Sequence, residues 1–367
     1  MDNPQATLAI GLMSGTSRDG IDAALIETDG EGAVAAVEFH AMAYDDGFRL
    51  RLAEACHRAM AMERPGFEPL IAAVEVELTE YHVQAVADLL GRSGHIAEDV
   101  GVIGFHGHTV AHRPDRGWTW QIGDGAALAG AFDIAVVGDL RSADVAAGGQ
   151  GAPLLPVYHR ALAAGLDKPA AILNLGGVAN ITFIGSDDGL IAFDTGMASG
   201  LIDNWMQTHG HAPFDAGGAC AARGQVDEAR LAAMMADPWF DLAPPKSIDR
   251  EAFSIGAVQG LTLEDGAATL TAFTAAAVAR ALTHVPEMPR QIHVAGGGRH
   301  NATLMAMISA RTGVEVLDVD ELGWDGDALE AQGFAYMAVR HLKGLPISFP
   351  GTTGAPEPLT GGVLFRP

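Results

Sequence analysis

The chain opens on short apolar runs separated by glycine-rich polar stretches. Residues 8–13 are apolar around a single glycine and predict a buried strand, and residues 21–28 predict a second. Between them, Ser-Gly-Thr-Ser-Arg-Asp-Gly at 14–20 reads as a hairpin tip carrying hydroxyls and an acid. Residues 34–42 predict a third strand. Apolar positions then recur at three and four, which predicts helices over 48–62 and 70–90. A buried strand at 100–105 leads into a polar loop, His-Gly-His-Thr-Val-Ala-His-Arg-Pro, at 106–114. Strands at 118–122 and 134–139 flank a small-residue helix at 123–130. Residues 141–153 show no period and many glycines, as a ligand loop or hinge would, and the domain boundary is placed there.

A second hairpin is predicted over 173–184, turning at Gly176-Gly177, and a further strand ends in Asp194-Thr195-Gly196. Helices follow at 197–208 and 226–236, with a loop at 215–224 between them and a proline-broken, charged connector at 244–251. A long Ala/Thr-rich helix covers 263–282. A strand at 291–295 feeds Gly296-Gly297-Gly298, then come a helix at 302–311, a strand at 314–319 and a helix at 327–342. The Pro/Gly-rich tail from 344 is expected to pack along the surface. The hairpins at 8–28 and 173–184 resemble each other, which suggests two related halves, each with alternating strands and helices of an α/β domain.

Composition narrows the chemistry. With 367 residues, 49% hydrophobic and 19% charged, the chain suits two folded domains. A formal charge of −24 and only three lysines (Lys168, Lys246, Lys343) exclude a basic nucleic-acid face. Backbone amides, an arginine and Mg²⁺ can still hold a nucleotide. Cys56 and Cys220 form no CxxC, so they offer neither a disulfide framework nor a thiolate zinc cage. No basic leader and no apolar stretch of ~20 residues is present, so a cytoplasmic address without membrane contact is expected.

Three glycine-rich turns follow apolar strands: 11–20, 176–180 and 296–301. Inward-facing amides at such bends can cradle phosphate, and adjacent glycines let a ligand approach the backbone. Asp19 and Asp194 stand close to two of them in sequence. No lysine follows a glycine and nothing fits GxGxxG before a helix, which excludes a P-loop or a dinucleotide fold. His106, His108 and His112 allow two readings, a zinc site or the polar lining of a pocket. Arg141 and Arg299, in glycine-rich loops after strands, suit a carboxylate or phosphate.

These residues resemble the anhydro-N-acetylmuramic acid kinase family. The matching segments are Gly11-Leu-Met-Ser-Gly-Thr-Ser-Arg-Asp-Gly-Ile-Asp22, Gly104-Phe-His-Gly-His-Thr109 with Arg113-Pro114, Trp120-Gln-Ile-Gly-Asp124 and Gly138-Asp139 with Arg141. They continue through Asp144-Val-Ala-Ala-Gly-Gly-Gln-Gly-Ala-Pro153, Asn174-Leu-Gly-Gly-Val-Ala-Asn-Ile-Thr182, Phe193-Asp-Thr-Gly196, Pro245-Lys-Ser247, Gly296-Gly-Gly298 with His300-Asn301, and Asp327 with Glu330-Ala331. Two departures stand out. Met197-Ala198-Ser199 replaces the family's Pro-Gly-Asn, and His108 replaces a glutamine.

The resemblance implies an actin/Hsp70/hexokinase-like ATPase fold of two α/β domains with an interdomain cleft. One lobe is expected over 1–141 plus 345–367 and the other over 142–344. It further implies that the enzyme hydrolytically opens 1,6-anhydro-N-acetylmuramic acid and phosphorylates O6, giving N-acetylmuramic acid 6-phosphate in peptidoglycan recycling. ATP would be held by Gly15, Thr16, Ser17, Arg18, Asp19, Gly20, Ile21 and Asp22 in the first hairpin. Gly176, Gly177 and Asn180 would hold it in the second, and Gly296, Gly297 and Gly298 would meet the adenosine. Asp194 is the expected base, with Mg²⁺ as a second assignment, and Glu330 a further catalytic candidate. Thr109, Arg141 and His108 are the expected sugar contacts. A homodimer is implied as well. A sugar kinase acting on a free hydroxyl, an Hsp70-like binding module and a metal hydrolase centred on His106 and His108 remain as alternatives at this point.

Overall fold

The computed structural model describes residues 6–15, 17–210, 212–248 and 252–367. Thr16, one of the expected phosphate contacts, lies outside them. In chain order, β1 (Thr7–Ser14), β2 (Gly20–Thr28) and β3 (Val34–Ala43) form a meander, followed by α1 (Asp46–Ala61) and α2 (Pro69–Ser93). Asp45 caps α1 by accepting from Phe48 N, and Phe48, Leu52, Ala55 and Ala59 form its buried stripe at helical spacing. Pro69 at the first turn of α2 and left-handed Gly94 after its last turn set the ends of that helix.

Next come β4 (Val102–Arg113), β5 (Trp118–Ile122), α3 (Gly125–Phe132), β6 (Val136–Gly138), α4 (Ser142–Ala146) and α5 (Pro156–Leu162). The middle of the chain supplies β7 (Ala170–Leu175), β8 (Val178–Ile184), β9 (Leu190–Met197), α6 (Ser199–Trp205), α7 (Glu228–Met235) and α8 (Leu263–Ala281). It closes with β10 (Gln291–Ala295), α9 (Ala302–Thr312) and β11 (Glu315–Asp318). The chain ends with α10 (Leu329–Leu342), α11 (Pro350–Thr353) and β12 (Val363–Phe365).

Two compact units result, residues 1–164 with 328–367, and residues 165–327. Residues 142–164 and 328–344, expected in the second lobe, cluster with the first unit. Among the described residues the first unit holds a sheet in the order β12-β6-β4-β1-β2-β3, with β5 paired to β4. The second holds β11-β10-β7-β8-β9. Direction repeats along with order: β6, β4 and β1 are parallel, as are β11, β10 and β7, while β2 and β3, like β8 and β9, run on as antiparallel meanders. The likeness of the two hairpins thus extends to five strands in each unit.

Two further expectations change. Residues 106–113 are strand, because β4 runs past Gly107 and pairs with β5 from His108↔Ile122 to Arg113↔Trp118. Gly107 has φ +66°, and a Cβ there would fall 2.4 Å from Ile122 O, so the glycine bends the strand without ending it. The tail is also more than a surface strap. It buries Ile347, Thr352, Thr353 and Ala355 and supplies β12 beside β6.

The first unit's core gathers Ile10, Leu12, Leu25, Phe48, Leu52, Leu78, Leu89 and Phe105 between its sheet and α1 and α2. On the sheet's other side, α10 lies against β1, β4 and β2. Gly11 and Gly104 permit this approach. A Cβ at Gly11 would fall 1.8 Å from Ala331 O, and one at Gly104 2.0 Å from Phe334 O. In the second unit, Leu173, Ile181, Phe193, Val278, Ile292 and Leu304 join the sheet to α8 and α9.

Candidate active site

The β1–β2 tip is a tight turn. Arg18 N donates to Gly15 O (3.0 Å) with Arg18 at φ +57°, and Ser17 Oγ donates to Asp19 Oδ1 (2.6 Å). Beside it is an open pocket of about 450 Å³ lined by Ser17, Arg18, Asp46, Arg49, Leu50 and Ala53. Arg49 Nε donates to Arg18 O (3.1 Å), so the pocket gathers two guanidinium side chains at the tip of a strand hairpin. That charge suits a phosphate. Within the expected contact set, Ile21 is a core residue. Gly20 is required by the β2–β3 ladder, since its Cβ would lie 2.2 Å from Met42 O. Asp22 lies on β2, paired with Met13 of β1 on one side and Ala41 of β3 on the other.

His108 is buried. Its Nδ1 lies 2.8 Å from Ser14 Oγ, which is itself 2.6 Å from Tyr44 OH, and its Nε2 lies 3.7 Å from Cys56 Sγ. Burial first, and then the Arg18 charge, push its pKa down to about 4, so the ring is neutral at pH 7 and ties β4 to β1. Thr109 Oγ1 is half-buried and accepts from Gln121 Nε2 (3.0 Å).

Arg141 is held rigidly. Its Nε and Nη2 both meet His106 Nε2 (3.1 Å each), and Nη1 donates to Gly151 O (2.8 Å). These bonds require an unprotonated Nε2 on His106, whose Nδ1 then donates to Gly107 O (2.9 Å). Burial and the Arg141 charge hold His106 well below the usual imidazole range, consistent with that tautomer. Burial lowers the Arg141 pKa to about 10 against the opposing charges of Glu330 and Asp144, so it remains a cation. The 141–153 loop is anchored by Asp144, whose carboxylate accepts from Gly151 N and Thr353 Oγ1 (2.6 Å each). His112 Nδ1 bonds Thr119 Oγ1 (2.9 Å). The three histidines therefore belong to separate hydrogen-bond sets. Among the described residues no group of three or more His, Cys, Asp or Glu forms a metal cage.

In the second unit Asp194 stands on β9 opposite Asn180 of β8. Its amide donates to Lys246 O (3.0 Å) and its Oδ2 accepts from Ile248 N (2.9 Å). Burial raises its pKa to about 6, opposed by the Ile248 N–H. The adjacent Gly176-Gly177 turn uses its carbonyls to receive the start of α6, from Ser199 N to Gly176 O and from Ala198 N to Gly177 O (3.0 Å each). The unusual Met197-Ala198-Ser199 segment therefore makes the backbone bonds that join the turn to the helix.

At the third turn, Gly296 has φ +77°, and a Cβ there would meet Asn174 Oδ1 at 2.4 Å. One on Gly298 would meet Leu175 Cβ at 2.5 Å. Those two glycines let the turn pack onto β7, whereas a Cβ on Gly297 would meet nothing within 4 Å. Arg299 is engaged by Asp327 (2.8 Å), Asp318 and Asp320, which makes it a brace for this turn. Sequence reasoning left the immediate surroundings of Asp194 and the His106–Arg141 pair unassigned. The motifs Pro245-Lys-Ser247 and Gly104-Phe-His106 were their only signal.

Residues 7–367 match the family model described as anhydro-N-acetylmuramic acid kinase. A protein of that name from Rhizorhabdus wittichii is 62% identical over 361 residues, covering 98% of this chain and 99% of the relative. One from Zymomonas mobilis is 54% identical over 359 residues, covering 97% and 98%. Among solved structures, (R)-2-hydroxyglutaryl-CoA dehydratase component A from Acidaminococcus fermentans superposes with a TM-score of 0.50 at 12% identity, over 91% of this chain and 98% of that one. That likeness concerns the fold, which is the actin/Hsp70/hexokinase-like ATPase type. On sequence identity across its whole length, the chain belongs to the anhydro-N-acetylmuramic acid kinase family.

Proposed function

We propose that the protein uses ATP to convert 1,6-anhydro-N-acetylmuramic acid into N-acetylmuramic acid 6-phosphate, with Asp194 as general base. The observation that carries this reading is the Asp194 carboxylate, partly buried beside a glycine turn with a pKa near 6. Such a group is ionised at pH 7 yet basic enough to accept a proton as water attacks, a contribution of about 10²–10⁴-fold. The proton passes to Asp194, the water oxygen bonds to C1, and the C1–O6 bond breaks. The released O6 then attacks the γ-phosphorus and ADP departs. Transfer of this kind is governed by positioning and charge neutralisation.

Arg18, Arg49 and the tip amides suit the phosphates, and the open face at Gly297 suits the adenosine. Arg141, fixed by His106 and Gly151, suits the sugar's lactyl carboxylate, with Thr109 on the same strand as His106 as a second sugar contact and Glu330 close enough to act on the Arg141 charge. His108 supports these groups from the interior. Asp19 and Asp194 offer the hard oxygen donors that Mg²⁺ takes, and the ion commonly uses one or two carboxylates together with phosphates and water. Mg²⁺ supplies charge neutralisation on the phosphates. A cytoplasmic homodimer acting in peptidoglycan recycling completes the proposal.

Asp194→Asn is expected to keep ATP binding and lose at least 10²-fold in turnover. Product formation within tenfold of the unsubstituted enzyme would remove Asp194 from the role. Reaction in ¹⁸O-labelled water separates ring opening from simple hydroxyl phosphorylation, because only the former places label at C1. Product mass shows the label directly.

A further inference from the structure

Three side chains and one backbone segment around Asp194 have no part in the chemistry above. Lys246 is buried, and its ammonium donates to Phe240 O (2.9 Å) and Trp239 O (3.2 Å). Those carbonyls belong to the short turn Pro238–Asp241. The ammonium also lies 4.4 Å from the Trp239 ring centroid and 5.9 Å from that of Phe193, within cation–π range. Trp239 then reaches back with its other end, Nε1 donating to Ser247 O (3.1 Å). Lys246 and Ser247 are thus stapled to one turn through three hydrogen bonds and a ring face. The charged groups acting on Lys246 are Asp241 and Arg280, which are bonded to each other.

A buried ammonium that is neutralised by carbonyls and ring faces is costly to maintain, so its position calls for a reason. The backbone carrying it supplies one. Lys246 O accepts from Asp194 N, and two residues later Ile248 N donates to Asp194 Oδ2. Residues 246–248 therefore lie against β9 at Asp194, with one amide aimed at the carboxylate.

We propose that Lys246 is a positioning residue for Asp194. By fixing residues 246–248 to the Trp239-Phe240 turn, it holds the Ile248 N–H against Oδ2, which orients the carboxylate. This rests on the reading of Asp194 as the base only for its catalytic consequence, since the bracing itself is a property of the fold.

The test pairs turnover with a crystal structure of each variant. Lys246→Met keeps the length of the side chain and removes its three donors. It is expected to release residues 246–248, breaking the bond from Ile248 N to Asp194 Oδ2, and to lower kcat by about tenfold while KM for ATP stays unchanged. Lys246→Arg can still donate to both carbonyls and lie over Trp239, and is expected to keep that bond and restore most of kcat. Should Lys246→Met fail to fold, Trp239→Phe retains a ring face while deleting the bond to Ser247 O, and must loosen the same bond and lower kcat. A bond from Ile248 N to Asp194 Oδ2 left unchanged in the folded variant overturns the proposal. If the bond is lost while kcat holds, the bracing stands and the assignment of Asp194 as the base fails.

Discussion

At the scale of single residues, the burial that raises the Asp194 pKa should also make the carboxylate a burden on the fold. Its pKa of about 6 lies above the 3.8 of an unperturbed aspartate, so the folded state holds this proton more tightly than the unfolded one. Its contribution to stability is therefore greatest below pH 4, declines as pH rises from about 4 to 6, and becomes a penalty above that. The shift corresponds to about 1–3 kcal/mol at pH 7. Asn in its place keeps an oxygen to accept from Ile248 N and carries no charge. Asp194→Asn is accordingly expected to raise the melting temperature at pH 8 by a few degrees, and to show a smaller gain at pH 4. Equal melting curves at both pH values would mean that the carboxylate is solvated. The place of Asp194 on a strand was legible in the sequence, because it follows the apolar run Leu190–Phe193. Its partner Ile248 was not, since a backbone amide has no side-chain signature. His108 misled for a related reason. A histidine in a polar-looking stretch reads as ligand-facing, and only the β1–β4 register, with Ser14↔His108, puts it inside.

At the scale of elements, glycine had two meanings that the sequence could not separate. Glycines 11, 296 and 298 looked like places for a ligand to approach the backbone, yet what approaches each of them, as at Gly104, is protein. At Gly11 and Gly104 it is the backbone of α10, and at Gly296 and Gly298 it is the end of β7. The first pair sets how deeply α10 seats, and Glu330 lies in that helix's first turn. A Cβ at position 104 would fall 2.0 Å from Phe334 O, so Gly104→Ala must push the helix away from the sheet. We expect it to destabilise the first unit by about 1–3 kcal/mol. Gly91→Ala provides the contrast. It lies in exposed helix with nothing within 4 Å of a new Cβ, and should stabilise by about 0.5–1 kcal/mol. Chemical denaturation of the two variants should shift in opposite directions, and a neutral Gly104→Ala would show that α10 is not seated by these glycines. Strands and helices with clear periods, such as β10 and α8, were legible nearly to the residue. β4 beyond Gly107 and β12 were not, because both are fixed by pairing to distant strands, and local polarity says nothing about that.

At the scale of the whole molecule, the shared strand order of the two units gives physical content to the likeness of the two hairpins. Each unit repeats a parallel trio followed by an antiparallel meander, and each meander opens with a glycine-containing turn. The same scale poses an electrostatic problem. The chain carries 46 acidic and 22 basic side chains, a formal charge of −24, while the proposed phosphoryl donor is itself an anion. Local attraction from Arg18 and Arg49 acts over a few ångströms, whereas the net charge acts over the Debye length, about 30 Å at 10 mM salt and 8 Å at 150 mM. At low salt the long-range repulsion should prevail and slow the approach of the nucleotide. Adding salt removes that repulsion first and leaves the short-range contacts largely intact. We therefore expect kcat/KM for the magnesium complex of ATP to rise several-fold from 10 to 150 mM potassium chloride, while kcat/KM for the singly charged sugar changes less. A fall in the nucleotide value over that range would mean that the two arginines dominate the field along the whole approach, and that the acidic surface lies away from it.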